Sequence, residues 1–283
     1  FFDQKGTASL FRLEGIRLTD DEAEKIFAST GGWVSAIRLQ IIHYRETGSF
    51  DLSADTRQLV ERAIWDKLTP VQQNFLLSVS VLESFTARQG AVMLGRDAMP
   101  EEVEELLRDS DFIRYLPDKH LYSIHGVLQD SLRGRLYRQM PEPCRHGIFR
   151  GAGEACAAAG QYCGAAEFLY KIGDFDAILS LPFTREYLEE QKETYQSKFC
   201  AMLVRECPEE TLCKYPWMMI VFGYLTLSMG HLAEYQKLCG LLRRVLAGPG
   251  GPDPAQRRKL RGETILLEAQ GAFVLLALVR RMA

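Results

Sequence analysis

Phe112-Ile113-Arg114-Tyr115-Leu116-Pro117-Asp118-Lys119-His120-Leu121-Tyr122-Ser123-Ile124 is the stretch on which the fold turns, because it interrupts a chain that is otherwise patterned for helices. Two β-prone runs flank Pro117-Asp118-Lys119, the signature of a hairpin. Upstream, Thr69-Pro70-Val71-Gln72 opens a helix with proline at its first position and Val71, Phe75 and Val79 on its apolar face. Thr86-Ala87-Arg88-Gln89 repeats the capping pattern, and Pro100 starts a helix whose Val103, Leu106 and Leu107 form an i, i+3, i+4 stripe. Downstream, Leu128, Leu132 and Leu136 mark one more helix. Three short helices followed by a hairpin is the order of a winged helix.

Before this module, Thr19-Asp20-Asp21-Glu22 forms a capping box for a helix that runs to about Ser29. Thr30-Gly31-Gly32 stops it, and Trp33, Ile37, Ile41 and Tyr44 share one face of a second helix that Gly48 ends. Ser53 opens a further helix with Leu59, Val60, Ala63 and Ile64 inward. From about Pro143 the composition shifts to Ala, Gly and Leu. Three turns there resemble one another: Gly160-Gln161-Tyr162, Gly173-Asp174-Phe175 and Gly230-His231-Leu232, each followed by small residues that let antiparallel helices approach, as in degenerate tetratricopeptide-like hairpins. Trp217, Val221, Leu225 and Met229 line one face ahead of Gly230. Ala247 to Pro254 reads as a loop, and Arg257 to Arg281 as the start of another unit in a truncated array. The expected fold is mostly α: a helical arm over 1–50, a winged helix with a small β-hairpin over 51–141, and tetratricopeptide-like α-α superhelical repeats over 142–283.

The 283 residues are 47% hydrophobic and 25% charged, the balance of a globular chain, which excludes disorder and collagen-like repeats. With 34 Lys plus Arg against 37 Asp plus Glu, the net charge of −3 supplies no general field for nucleic acid. The longest apolar stretch near either end, Gly271 to Val279, is too short to span a bilayer, and Phe1-Phe2-Asp3-Gln4 lacks the features of a signal peptide. A cytoplasmic piece of a longer chain with no membrane partner is expected. The seven cysteines form no Cys-x-x-Cys pair and read as reduced thiols.

No phosphate-binding loop occurs: Gly248-Pro249-Gly250-Gly251-Pro252 lacks the following Lys and the preceding strand. Gly-x-Ser-x-Gly and His-Glu-x-x-His are also absent, so no catalytic residue is proposed and the chain is expected not to be an enzyme by itself. Cys144-Arg145-His146 is the one close Cys/His pair, and it lacks two further ligands at zinc spacing, so no metal site is proposed. The helix from Pro100 to Ser110 carries Glu101, Glu102, Glu104, Glu105 and Asp109 against Arg108, a net −4 where a DNA-reading helix needs cations. Arg133, Arg135 and Arg138 lie on the later helix and read as a solvated face or a partner contact. His125 sits where the second strand meets that helix. An imidazole there could reach an anion, or be an ordinary helix-start or core histidine. His120 reads as exposed, and His43, His146 and His231 show no partner pattern.

Four segments together carry a family resemblance. Thr30-Gly31-Gly32-Trp33-Val34-Ser35-Ala36-Ile37-Arg38-Leu39 resembles the Thr-Glu-Gly-Trp signature of MalT-like, LuxR-type ATP-dependent transcription regulators. Leu68-Thr69-Pro70-Val71-Gln72-Gln73-Asn74-Phe75-Leu76-Leu77-Ser78-Val79-Ser80-Val81-Leu82 is similar to their helix leading into the winged helix. Leu121-Tyr122-Ser123-Ile124-His125-Gly126-Val127-Leu128-Gln129-Asp130-Ser131-Leu132-Arg133 resembles their Tyr-x-His-His-Leu-Phe segment, and Gly160-Gln161-Tyr162 to Asp174-Phe175-Asp176-Ala177 their first sensor repeats.

The resemblance implies a signal-transducing ATPase of the STAND class, with a nucleotide-binding domain before this chain and a promoter-binding helix-turn-helix after it. It implies ATP or ADP as cofactor of the full-length protein, none held by this piece alone, and His125 as the histidine that contacts the phosphates. The implied partners are the chain's own nucleotide-binding domain, a small-molecule or protein inducer at the repeats, promoter DNA through the outlying domain, and further copies of the protein. Nucleotide would favour a closed form and inducer an open one, each through its differential affinity for the two states. Gly31 stands in place of the signature's Glu, and Gly126 in place of the second His. Two other classes compete with this reading: a helical-repeat scaffold with no nucleotide link, and an independent winged-helix DNA binder.

Overall fold

The computed structural model describes residues 2–30, 32, 34–50, 64–110, 112–184, 194–248 and 253–282. It is mostly helical, with one small hairpin followed by paired helices resembling tetratricopeptide-like repeats. The chain divides into two compact units, Phe1–Ala159 and Gly160–Ala283.

The first unit opens with α1 (Gln4–Leu13), which the sequence reading missed. The carboxylate of Asp3 caps it by accepting the Gly6 N–H at 2.7 Å, Thr7 and Phe11 are buried, and Leu10 packs against the same core. Helices α2 (Asp20–Thr30) and α3 (Val34–Thr47) follow as expected. The capping box is present: the Thr19 N–H donates to the Glu22 carboxylate at 2.8 Å, and the Glu22 N–H donates to the Thr19 hydroxyl at 3.2 Å. Phe11, Ile16, Ile26, Ile37 and Ile41 form the core of this arm, with Tyr44 stacked on Phe50. Gly48, at φ +72°, ends α3. Gly31, Trp33 and the helix expected from Ser53 through Ala63 lie outside the described residues.

In the same unit, α4 (Pro70–Val79), α5 (Ala87–Met93) and α6 (Glu101–Asp109) precede β1 (Ile113–Leu116) and β2 (Leu121–Ile124). Both expected threonine caps are full capping boxes, Thr69 with Gln72 and Thr86 with Gln89. The strands pair antiparallel, Ile113 opposite Ile124 and Leu116 opposite Leu121. Helix α7 (Gly126–Gln139) buries Leu128, Leu132 and Leu136 near Phe75, Leu76 and Val79 of α4, with which it packs. Helix α8 (Glu142–Ala158) lies against α5 and α4.

The second unit contains α9 (Tyr162–Tyr170), α10 (Phe175–Ser180), α11 (Thr194–Glu206), α12 (Glu209–Lys214), α13 (Pro216–Ser228), α14 (Leu232–Ala247) and α15 (Pro254–Met282). Gly160, Gly173 and Gly230, the three turn glycines, all adopt the left-handed conformation that a side chain disfavours. Ala165 and Ala166 after the first turn are fully buried, as expected, and two glycines beyond the turns allow further close approaches. Gly223 of α13 leaves room for Leu267 of α15, and Gly271 of α15 for the Tyr235 ring of α14, whose hydroxyl donates to the Leu267 carbonyl at 3.2 Å. The expected face of α13 is corrected in one respect. Trp217 and Met229 are 42% and 45% exposed, whereas Met219, Phe222 and Thr226 are buried, because α11, α12, α14 and α15 all pack on α13.

Candidate functional site

Strand β2 ends at Ile124, whose side chain is buried, and the next residue turns the chain into α7. That residue is His125. Its backbone stays extended (φ −63°, ψ 136°), its N–H donates to the Phe112 carbonyl at 2.8 Å, and its carbonyl accepts the Gln129 N–H at 3.0 Å. The imidazole is half-buried and makes no capping hydrogen bond to its own helix. The first peptide N–H groups of α7 therefore keep their partial positive charge. Gly126 is exposed, with nothing within 4 Å of where a side chain would begin, and the His125 Nδ1 is shielded from solvent, which leaves Nε2 as the ring nitrogen for an incoming anion. The donor chemistry thus fits a phosphate, with one imidazole where the family segment has two.

The acidic helix α6 is as the sequence indicates. Val103 and Leu107 are buried, Glu101, Glu104, Glu105 and Asp109 are exposed, and Glu102 accepts from the Thr69 hydroxyl at 2.6 Å. The surface that would face a DNA duplex is anionic.

Of the α7 arginines expected on a solvated face or a partner contact, Arg138 is exposed, while Arg133 and Arg135 are half-buried against the chain itself. Arg133 donates through Nε to the Ser80 carbonyl at 2.8 Å, and the Arg135 guanidinium lies 4.5 Å from the centre of the Trp65 ring. Sequence reasoning also missed Gln129, which is buried and donates through Nε2 to two carbonyls, Ser80 at 3.1 Å and Leu82 at 2.7 Å. His120 is exposed as expected, but it is also the single non-glycine with positive φ among the described residues, and its Nδ1 lies 3.0 Å from the Tyr115 hydroxyl. His146, which showed no partner pattern, stands 3.4 Å from the Glu142 carboxylate one helical turn earlier.

Cys144 is exposed, while Cys156, Cys200, Cys207 and Cys239 are buried. Burial pushes the Cys200 thiol up to about 12 and the Cys207 thiol to about 11. Among the described residues no group of three metal-ligating side chains occurs, and no helix is long and apolar enough to cross a membrane. In the second unit a concavity of about 570 Å³ lies between α13 and α15, lined by Tyr224, Leu227, Leu266, Gln270 and Phe273 and by no charged side chain.

The family model for the MalT winged helix domain matches residues 61–144, the segment that holds α4 to α7 and His125. No curated protein matches. A solved structure of a Signal Transduction ATPase with Numerous Domains (STAND) protein with a tetratricopeptide repeat sensor, from Pyrococcus horikoshii, is similar with a TM-score of 0.54 and 13% identity. The similarity covers 98% of this chain and 42% of that one, so this chain spans less than half the length of the solved protein. The winged helix thus has a family-level link to MalT-type proteins. The order of arm, winged helix and paired helices is a fold shared with a STAND protein.

Proposed function

We propose that this chain is the coupling and sensor region of a MalT-like, LuxR-type transcriptional regulator of the STAND class. In this reading it does no chemistry of its own. It relays the state of a nucleotide held by a neighbouring domain, and the binding of an inducer at the helical repeats, to a promoter-binding domain. The observation that carries the reading is the MalT winged helix match over 61–144 together with the position of His125 at its strand-to-helix junction. The nucleotide supplies a phosphate charge. His125 donates an imidazole N–H to it, the start of α7 adds peptide dipoles, and Gly126 presents no side chain there. Those contacts favour the closed state only to the extent that they are lost in the open one.

The test uses the full-length protein loaded with ADP. His125→Ala should speed ADP release about tenfold, the loss expected for one hydrogen bond to a charged group, and should raise basal transcription. An unchanged ADP off-rate together with unchanged basal output refutes the role of His125. Absence of bound nucleotide from the full-length protein supports a nucleotide-independent scaffold instead.

A further inference from the structure

The junction at His125 is held on both sides by one short segment, Ser80 to Phe85, which links α4 to α5. On the strand side, Phe85 and Tyr122 exchange backbone hydrogen bonds of 3.0 and 2.8 Å, and their rings stack at 5.7 Å. On the helix side, the Ser80 carbonyl accepts from both Gln129 and Arg133, and the Leu82 carbonyl from Gln129. Gln129 and Arg133 lie four residues apart on α7 and therefore share one face, while His125 is the extended residue that leads into the helix. The face of α7 that carries Gln129 and Arg133 is the face clamped to the turn, and it begins one helical turn after His125.

Gln129 is the buried part of this clamp. Both carbonyls it serves belong to buried residues, and no other hydrogen bond holds the Leu82 carbonyl among those described. A buried carbonyl without a donor is costly, so the amide fixes both the rotation and the axial position of α7 relative to the turn. Arg133 reinforces it from the surface, where its guanidinium also lies 3.6 Å from the exposed Glu83 carboxylate.

We propose that Gln129 is the positioning residue of the His125 site, holding the start of α7 so that the imidazole and the first peptide N–H groups face the same anionic ligand. This rests on the reading of His125 as a phosphate contact. Gln129 touches no ligand itself and acts only through the helix it orients. The arrangement makes α4 the element through which movement elsewhere in the winged helix reaches the ligand, because the clamped turn is its direct continuation.

The experiment is a double-mutant cycle on the full-length protein, reading release of fluorescent N-methylanthraniloyl-ADP by chase with unlabelled ADP. Gln129→Met keeps the side-chain volume and removes both donors. It should speed release on the order of fivefold with His125 present and by less than about twofold in the His125→Ala background. Effects that multiply in the double variant indicate general loosening of the domain and overturn the proposal. So does an unaltered off-rate in Gln129→Met when His125→Ala alone accelerates release. An unaltered off-rate in His125→Ala removes the phosphate contact itself and is distinguishable from both. Should Gln129→Met fail to fold by circular dichroism, Arg133→Met replaces it in the same cycle. A smaller acceleration that disappears without His125 is then expected, and one that persists overturns the proposal.

Discussion

Truncating Phe85 to alanine should destabilise the winged helix more than most other single changes in it. The side chain is 1% exposed, meets the Phe75 ring edge-on at 5.7 Å and stacks on Tyr122, so it joins α4 to the hairpin. Removing a fully buried phenyl ring costs about 3–5 kcal/mol in transfer and cavity terms. Domain stabilities are only about 5–15 kcal/mol, and with an unfolding slope of about 2 kcal/mol per molar urea the midpoint should fall by about 2 M. The assay is urea unfolding followed by circular dichroism. Phe85→Leu serves as a smaller step, and Leu13→Ala, at a residue 84% exposed, as a control expected to shift stability by no more than about 0.5 kcal/mol. The main-chain bonds between Phe85 and Tyr122 remain available to the variant, so the loss reports side-chain packing. A Phe85→Ala midpoint indistinguishable from that of Leu13→Ala would refute a core joining α4 to the wing.

Further outcomes test mainly the second unit. Gly271→Ala should cost about 1–3 kcal/mol, because the Tyr235 ring occupies the space a methyl needs. Gly262→Ala, with open space around it, should stabilise α15 by up to about 1 kcal/mol, and thermal melts separate the two. Cys200 should resist Ellman's reagent at neutral pH until the chain unfolds while exposed Cys144 reacts at once, as thiol counting with and without denaturant will show; equal rates would contradict the buried position of Cys200. The hydrogen bonds from Arg205 hold the Glu234 carboxyl below its ordinary value of 4.5. Its folded pKa is depressed, so the stabilisation is complete above the ordinary value and is lost as pH falls below it. Glu234→Gln should therefore flatten the acid limb of the melting temperature against pH, and an unchanged limb would dismiss this pair.

What could be read from the residues was local. The threonine caps, the hairpin and the three turn glycines each follow from a few adjacent side chains whose hydrogen bonds or φ angles are satisfied on the spot. Helix α1 escaped because its inward face, Thr7, Leu10 and Phe11, is short and includes a polar residue, too brief a run to extend a periodic pattern. The face of α13 escaped for the opposite reason: it is apolar nearly all round, so periodicity cannot say which side faces which neighbour. His125 could be singled out from its place between strand and helix, but the clamp beneath it could not. Gln129 and Arg133 bond to carbonyls about 50 positions earlier, and backbone acceptors leave no trace in residue identity. The same holds for Arg135, whose partner is the distant Trp65 ring.

The most direct test of the central claim is an experimentally determined structure of the full-length protein with ADP bound. A ring nitrogen of His125 should lie within hydrogen-bond reach, about 3.2 Å or less, of a phosphate oxygen, with Gln129 still donating to the Ser80 and Leu82 carbonyls. A nucleotide whose phosphates meet only the neighbouring domain, with His125 turned into the winged-helix core, would contradict that claim.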